Sequence, residues 1–370
     1  MANRISYKPS GIIMSSAITD FDVFTDGPYI DVTLTGMGGI VVLSERYYSY
    51  GGRVTLYDLG SLIEADMQKS GSTVSKYTLK VFTDSPSNNA DSCELNVLYC
   101  DRFTVCQGLD TFLAENFLTT LSMRRVPPGS TASLFFYALQ GEDVSYTVVC
   151  DFRKEGSDAL YHHSFTLDSG KKASATGVVQ LNFSLATLVA SAAGFALARP
   201  SEIVPLSFTL SLGQRSVTFF VDPKLNDLDC FMFRNCFNVW DVAHVGGVTT
   251  AKTDVDRSTA VLNGFSRFYN QSTEKKYEVE SDHLTSDEAD WIDQLFTSHE
   301  VLRIVQDATS ADEPLQFAPA MISQSTCEIQ NGDEKLNKVK FTWRYTNNRP
   351  IVSLSASKGI FSTQYNIVYS

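Results

Sequence analysis

The chain has 370 residues, of which 43% are apolar and 19% charged, with a formal net charge of -12. That length accommodates two or three domains at roughly 100–200 residues each, and the apolar content excludes a disordered chain. Without a cluster of Lys and Arg, the acidic balance excludes a nucleic-acid-binding surface and, on the same ground, an anionic-membrane surface.

Aromatics make up 12% of the sequence, with 24 Phe and 16 Tyr, a bias that suits pleated, half-buried strands. No apolar run approaches the roughly 18 residues of a membrane helix; the longest candidate, 185–197, is broken by Thr187, Ser191 and Gly194. Arg4 and Lys8 precede only Gly11-Ile12-Ile13-Met14, too brief for a secretory signal, so synthesis and folding in the cytoplasm are expected. The seven cysteines show no C-x-x-C spacing and read as small buried hydrophobes.

In chain order, Ile30-Asp31-Val32-Thr33-Leu34 alternates as a strand with one buried face. Gly36-Met37-Gly38-Gly39 precedes a strand, the reverse of a dinucleotide-binding turn, and reads as a plain turn. The strand Arg53–Tyr57 then leads into Tyr57-Asp58-Leu59-Gly60-Ser61-Leu62-Ile63. The same character order returns in Phe183-Ser184-Leu185-Ala186-Thr187-Leu188-Val189, after the strand Val178–Phe183. Asp58 and Ser184 stand where helix N-caps belong, and Leu59, Leu62, Leu185 and Leu188 are expected to face their cores.

Downstream, Leu95–Asp101 matches Ser216–Asp222; upstream, Val144–Val148 alternates as Ile30–Leu34 does. Loops fall at 84–89 and 126–130, and a linker at 222–227. The pattern predicts two tandem copies of one β domain, each with a short helix between strands.

The last third differs. Cys230–Phe237 opens it as a strand, and 248–280 is extended, with Asn263-Gly264 and Asn270-Gln271-Ser272 able to turn the chain. Thr285-Ser286-Asp287-Glu288 is a capping box, and Trp291, Ile292, Leu295 and Phe296 recur at helical spacing. Strands return at 301–305, 321–329 and 338–345, where Val339, Phe341, Trp343 and Tyr345 share a face; Asn331-Gly332-Asp333 turns before the last.

No P-loop, G-x-S-x-G or H-E-x-x-H occurs. His162 and His163 are adjacent in a strand and point to opposite faces; His244, His283 and His299 lie near loop or helix ends. Asp254 with Asp256, and Asp227 with Asp229, lack the full ligand set of a calcium loop. No catalytic, cofactor-binding or metal residue is assigned, and no cofactor is expected.

The run Phe231–Phe237, then Tyr277-Glu278-Val279, then Leu284–Ile292, and finally 331–337 with Phe341-Thr342-Trp343, resembles tail proteins of bacteriophages and prophages of the tail-tube-like and distal-tail-like kind. The resemblance covers the last third and implies a β-sandwich or barrel with one helix, used in ring assembly. The expected fold is therefore mainly β: tandem antiparallel β-sandwich domains at 1–103 and 104–224, then a tail-tube-like β domain at 225–370 with a helix at 286–298. The implied function is structural and non-enzymatic. Its partners are other tail or baseplate proteins and copies of itself in a homo-oligomeric ring, in a virion tail assembled from host-cytoplasmic subunits. The alternative is a carbohydrate-binding protein, with Tyr47, Tyr48 and Tyr50 beside Gly51-Gly52 as its glycan-facing aromatics.

Overall fold

The computed structural model describes residues 3–102, 108–225, 229–305, 316–328 and 337–347. The first third contains β1 (Arg4–Ile5), β2 (Ile12–Met14), β3 (Phe21–Phe24), β4 (Tyr29–Thr35), β5 (Val41–Tyr48), β6 (Arg53–Leu56), α1 (Leu59–Ser70), β7 (Val74–Phe82) and β8 (Asp91–Leu98). After α2 (Leu109–Glu115) come β9 (Met123–Val126), β10 (Thr131–Ala138), β11 (Tyr146–Lys154), β12 (Leu160–Leu167), β13 (Gly177–Ser184), α3 (Leu185–Phe195), β14 (Ile203–Leu212) and β15 (Arg215–Val221). The last third holds β16 (Asp229–Arg234), β17 (Trp240–Val245), β18 (Gly247–Leu262), β19 (Phe265–Ser281), α4 (Ser286–Thr297), β20 (Val301–Val305), β21 (Gln316–Glu328) and β22 (Lys338–Tyr345).

The chain is mainly β, with antiparallel sheets packed as sandwiches. The first two sheet systems share the order of their five-stranded sheets, while the smaller sheet has three strands, β1-β3-β6, in the first and two, β10-β13, in the second. One five-stranded sheet runs β2-β8-β7-β4-β5 and the other β9-β15-β14-β11-β12. In each the first pair is parallel and the others antiparallel. Each is covered by a smaller sheet, built on β3-β6 or on β10-β13, and each helix follows the second strand of that smaller sheet. Alternation along the strands supplies both cores: Val32, Leu34, Leu79, Val81, Leu95 and Val97 in the first, Val148, Cys150, Phe208, Leu210, Val217 and Phe219 in the second.

The repeated motif differs in detail from its sequence reading. Leu59, Leu185 and Leu188 are buried, but Leu62 is 39% exposed and Ile63 takes the core position. In α1 the buried stripe is Leu59, Ile63 and Met67, spaced by four, whereas α3 buries Leu185, Leu188 and Ala192. At about 3.6 residues per turn, a three-residue or a four-residue step each returns near the starting face, so aligned leucines can end on different sides. Neither Asp58 nor Ser184 caps with its side chain. Asp58 takes the left-handed conformation (φ 56°), and Ser184 continues β13, with the next amide, that of Leu185, donating to the Ser130 carbonyl.

The third system is one seven-stranded sheet, ordered β17-β16-β20-β21-β22-β19-β18. Its outer strands β17 and β18 are consecutive in sequence, with only Gly246 between them. The sheet therefore curls until its two edges meet at that corner. No ladder joins β17 to β18, so the barrel that the sequence reading left open is not closed. The capping box forms as expected: the Glu288 amide donates to Thr285 Oγ1 at 3.2 Å and the Thr285 amide to Glu288 Oε2 at 2.9 Å. Trp291, Ile292 and Leu295 are buried, with Trp291 against Phe233 and Phe296 against Phe341. The turn at 331–333 lies outside the described residues.

The three systems share a junction. Met14, Leu98 and Cys100 from the first pack with Leu113 and Leu118 from the connecting segment and with Cys236, Phe237 and Val239 from the third; Phe135, Tyr137 and Val178 of the second close the cluster. Beside it lies a buried polar knot. Arg124 forks onto Asp241, both almost fully buried, with Nη2 to Oδ2 at 3.1 Å and Nη1 to Oδ1. Oδ2 also accepts from Thr119 Oγ1 at 3.1 Å and Trp291 Nε1 at 3.0 Å.

Two substitutions test this packing. Asp241→Ala leaves the Arg124 guanidinium buried without its counter-ion and is expected to cost about 3–5 kcal/mol in urea unfolding. Leu295→Ala opens a cavity under α4 and is expected to cost about 2–5 kcal/mol. A loss under about half a kcal/mol, the range of surface changes, would show that the residue is not packed as described.

Candidate interaction surface

The most exposed feature of the chain is a two-stranded arm. β18 and β19 pair from Gly247↔Ser281 to Leu262↔Phe265, but β19 is joined to β22 only from Tyr277 to Glu280. Beyond Lys252 and Lys276 no third strand joins the ribbon among the described residues, and at about 3.4 Å per residue it reaches roughly 35 Å to its turn. Asn263 and Gly264 make that turn with φ 53° and 79°, the positive pair that a two-residue hairpin requires. Asn270-Gln271-Ser272, read from sequence as a possible turn, instead lies inside β19. There the register shifts, pairing Ser258 with Asn270 but Thr259 with Phe268, so Tyr269 is the extra residue of a β-bulge.

The stem is laced by charges. Lys252 meets Glu278 at 2.6 Å, and Lys276 meets Asp254 at 3.3 Å and Glu274 at 3.1 Å. The outer half is apolar and bare: Val261 is 72% exposed, Phe265 71%, Phe268 63% and Tyr269 71%. Ladder pairing puts Phe265 on one face of the ribbon and Phe268, with Val261, on the other, so neither face is covered. Such apolar clusters on a projecting element mark contact surfaces.

The root of the arm is tightly built. Tyr277 stacks on Trp343 with centroids 4.2 Å apart, and Thr249 Oγ1 donates to Asp229 Oδ2 at 2.6 Å, itself paired with Arg303 at 3.0 Å. Gly246 and Gly247 carry the chain across the corner between the sheet edges. A Cβ on Gly247, at φ 128°, would lie 2.1 Å from the Glu280 carbonyl oxygen, and one on Gly246 2.8 Å from Asp282 Oδ2. No side chain fits at Gly247, where the obstacle is backbone, while at Gly246 the Asp282 carboxylate would have to shift.

The residues considered for chemistry fall elsewhere and apart. His162 meets Asp151 at 2.6 Å on one face of β12, while His163 stacks on Phe195 on the other. His244 is the penultimate residue of β17, near the corner at Gly246, and burial pushes its imidazole down to about 4, with Arg124 adding to the effect. His283 and His299 flank α4. Asp254 is part of the stem ion pairs, Asp229 is tied to Arg303, and Asp227 lies outside the described residues. Among the described residues no group of three His, Cys, Asp or Glu is placed to hold a metal, and no helix is long and apolar enough to cross a membrane. A cleft of about 440 Å³ runs between β9 and the start of α4, but its arginines are already committed, Arg125 to Glu288 at 2.9 Å and Arg124 to Asp241.

Tyr48 and Tyr50 are 76% and 94% exposed near the β5–β6 turn, whereas Tyr47 packs partly on the first core. Arg46 lies over the Tyr29 ring at 4.0 Å, and Tyr29 meets Tyr48 edge to face.

No family model and no curated protein matches the chain. Among solved structures, the chain is similar to the full extracellular region of plexin A4 at 10% identity and a TM-score of 0.22; the likeness covers 95% of this chain and 40% of that one. At that score it carries no argument about fold or function.

Gly247→Ala tests the root. Backbone strain at a positive φ is worth about 1–3 kcal/mol, and the clash with the Glu280 carbonyl adds to it. Urea unfolding should show at least this loss, and amide exchange along 252–276 should rise. A variant of wild-type stability would mean that the corner is not as tight as drawn.

Proposed function

We propose that the chain is a structural subunit that works by assembly with other proteins, as a component of a bacteriophage or prophage tail in the tip or baseplate region. The observation that carries the reading is the arm: a long ribbon fixed rigidly at its root, with aromatic side chains bare on both faces of its outer half. The described residues leave that apolar surface bare, and burying it against a neighbour returns about 25 cal/mol per Å². An outer strand such as β18 also presents unpaired backbone groups for strand addition by a partner. The net charge of -12 keeps free subunits apart by mutual repulsion until a specific contact outweighs it. The tail reading adds the resemblance of the last third, and neighbouring subunits in a closed ring would be the arm's natural partners.

The second reading, glycan binding, rests on Tyr48 and Tyr50, whose exposed rings beside Gly51-Gly52 suit stacking on sugar faces.

Native particles purified from the source organism should contain this chain by mass spectrometry. A variant with Phe265, Phe268 and Tyr269 all changed to Ser should keep its unfolding midpoint, since these side chains touch no core, yet lose incorporation at least tenfold. Absence of the chain from every particle, together with tight glycan binding lost on Tyr48→Ala and Tyr50→Ala, would reject assembly in favour of the second reading.

A further inference from the structure

Two buried cysteines from different sheet systems meet at the three-way junction. Cys100 follows β8 and is fully buried; Cys236 lies in the turn between β16 and β17 and is 4% exposed. The Asp101 amide donates to the Cys236 carbonyl at 3.3 Å, so the two backbones lie side by side at this point. Both side chains belong to one apolar cluster with Met14, Leu98 and Leu118.

Each backbone is also pinned locally. Ser15 Oγ donates to the Cys100 carbonyl at 3.0 Å and accepts from the Cys100 amide at 2.9 Å, while the Cys236 amide donates to Gln294 Oε1 at 3.0 Å. Contact with Cys236 holds the Cys100 thiol below its ordinary value, against the opposing effect of burial, and the same contact pushes Cys236 up. The Cys100 thiol donates to the Arg102 carbonyl at 3.5 Å, and the buried Ser16 hydroxyl, otherwise without a partner, adds a weaker contribution toward the thiolate. Burial raises the thiols of Cys93, Cys150 and Cys230.

The geometry points to Cys100 and Cys236 as an oxidative modification site, at which a small hydroperoxide converts the thiol pair to a disulfide that staples the first sheet system to the third. Two thiols in one apolar cluster, on backbones joined by the hydrogen bond from the Asp101 amide to the Cys236 carbonyl, need little movement to reach disulfide geometry. The Cys100 thiolate attacks the distal oxygen of the hydroperoxide; the O–O bond breaks, and the leaving oxygen takes up a proton as water or alcohol. Cys100 is then a sulfenic acid. The Cys236 thiol gives up its proton and attacks the Cys100 sulfur, the S–O bond breaks, and the departing hydroxide leaves as water. Two thiols and one hydroperoxide thus give one disulfide, one water and one water or alcohol, a two-electron change. The closed loop encloses the whole second sheet system, so the link removes a large share of unfolded-chain freedom. This inference is independent of the assembly reading.

Hydrogen peroxide is the probe. The full chain is treated at mildly alkaline pH, unfolded with N-ethylmaleimide present, and mapped by mass spectrometry without reduction. The expected result is a loss of about 2 Da, the two hydrogens of one disulfide, with a linked peptide pair holding Cys100 and Cys236. Dithiothreitol should reverse it, and the thermal midpoint of the oxidised chain should be higher. Cys93→Ser should leave the link intact, while Cys100→Ser and Cys236→Ser should each abolish it. Both cysteines alkylated after peroxide treatment, Cys100 stopping at the sulfinic acid with Cys236 untouched, or the same mass loss in both serine variants would overturn the assignment. Because the wild-type chain gives the primary readout, a variant that misfolds does not weaken the test.

Discussion

The Asp241 carboxylate is the point on which the relation of the three sheet systems turns. It accepts from Arg124 and Thr119 on the segment leading into the second system, from Asn235 beside its own strand, and from the indole of Trp291 on α4. A carboxylate this deeply buried is tolerated only when its lone pairs are met, and here the four donors come from three parts of the chain. Arg124 is satisfied reciprocally, by Asp241, by Thr119 Oγ1 at 2.6 Å and by lying over the Trp291 ring. The network tolerates little displacement of any one element, so it fixes where α4 sits against the connecting segment.

Around that knot, α4 faces two ways. Its apolar side, Trp291, Ile292 and Leu295, belongs to the core of the curled sheet. Its polar side binds the connecting chain: Glu288 to Arg125, Asp293 to Arg102 at 3.0 Å, and Gln294 Nε2 to Thr120 Oγ1 at 2.6 Å. A further bond runs to the first system, where Asn238 in the β16–β17 turn donates to the Met67 and Ser72 carbonyls at the end of α1. The third system is thus bonded to the first and to the segment entering the second, and the direction in which the arm leaves the molecule is set by the whole assembly of sheets.

How much of this the sequence discloses depends on the range of the interaction. Local periodicity finds the strands, the α4 helix and its capping box, because alternation and capping are properties of a few neighbouring residues. The likeness of the first two sheet systems is legible because both keep the same strand–helix–strand pattern, yet the faces of α1 and α3 are not, since Leu62 and Leu188 align in sequence and diverge in burial. Asn270-Gln271-Ser272 has turn composition but sits where a ladder absorbs one extra residue, which only the pairing partner can reveal. Arg124, Asp241 and Cys236 look ordinary in sequence. Their roles come from contacts across more than a hundred positions, which composition and spacing do not encode. The arm occupies the middle ground: its strands can be read, but not the fact that nothing covers them.

That last point separates the arm from the rest of the fold. In the three sheet systems, one face of the strands carries apolar side chains into a buried core. On the arm, stability must come from the ladder itself, from diagonal ion pairs at the stem, and from the locked root, because a free two-stranded ribbon is marginal in water. Arg257 over Phe268 at 5.1 Å shields one ring in part, but it leaves Phe265 and Tyr269 to solvent. Polar residues at those positions would serve an isolated ribbon equally well and would carry less risk of non-specific association. Aromatic side chains there fit the proposed assembly, in which a neighbour would cover them, and a stiff root suits such docking: an arm already extended gives up little conformational entropy when it docks.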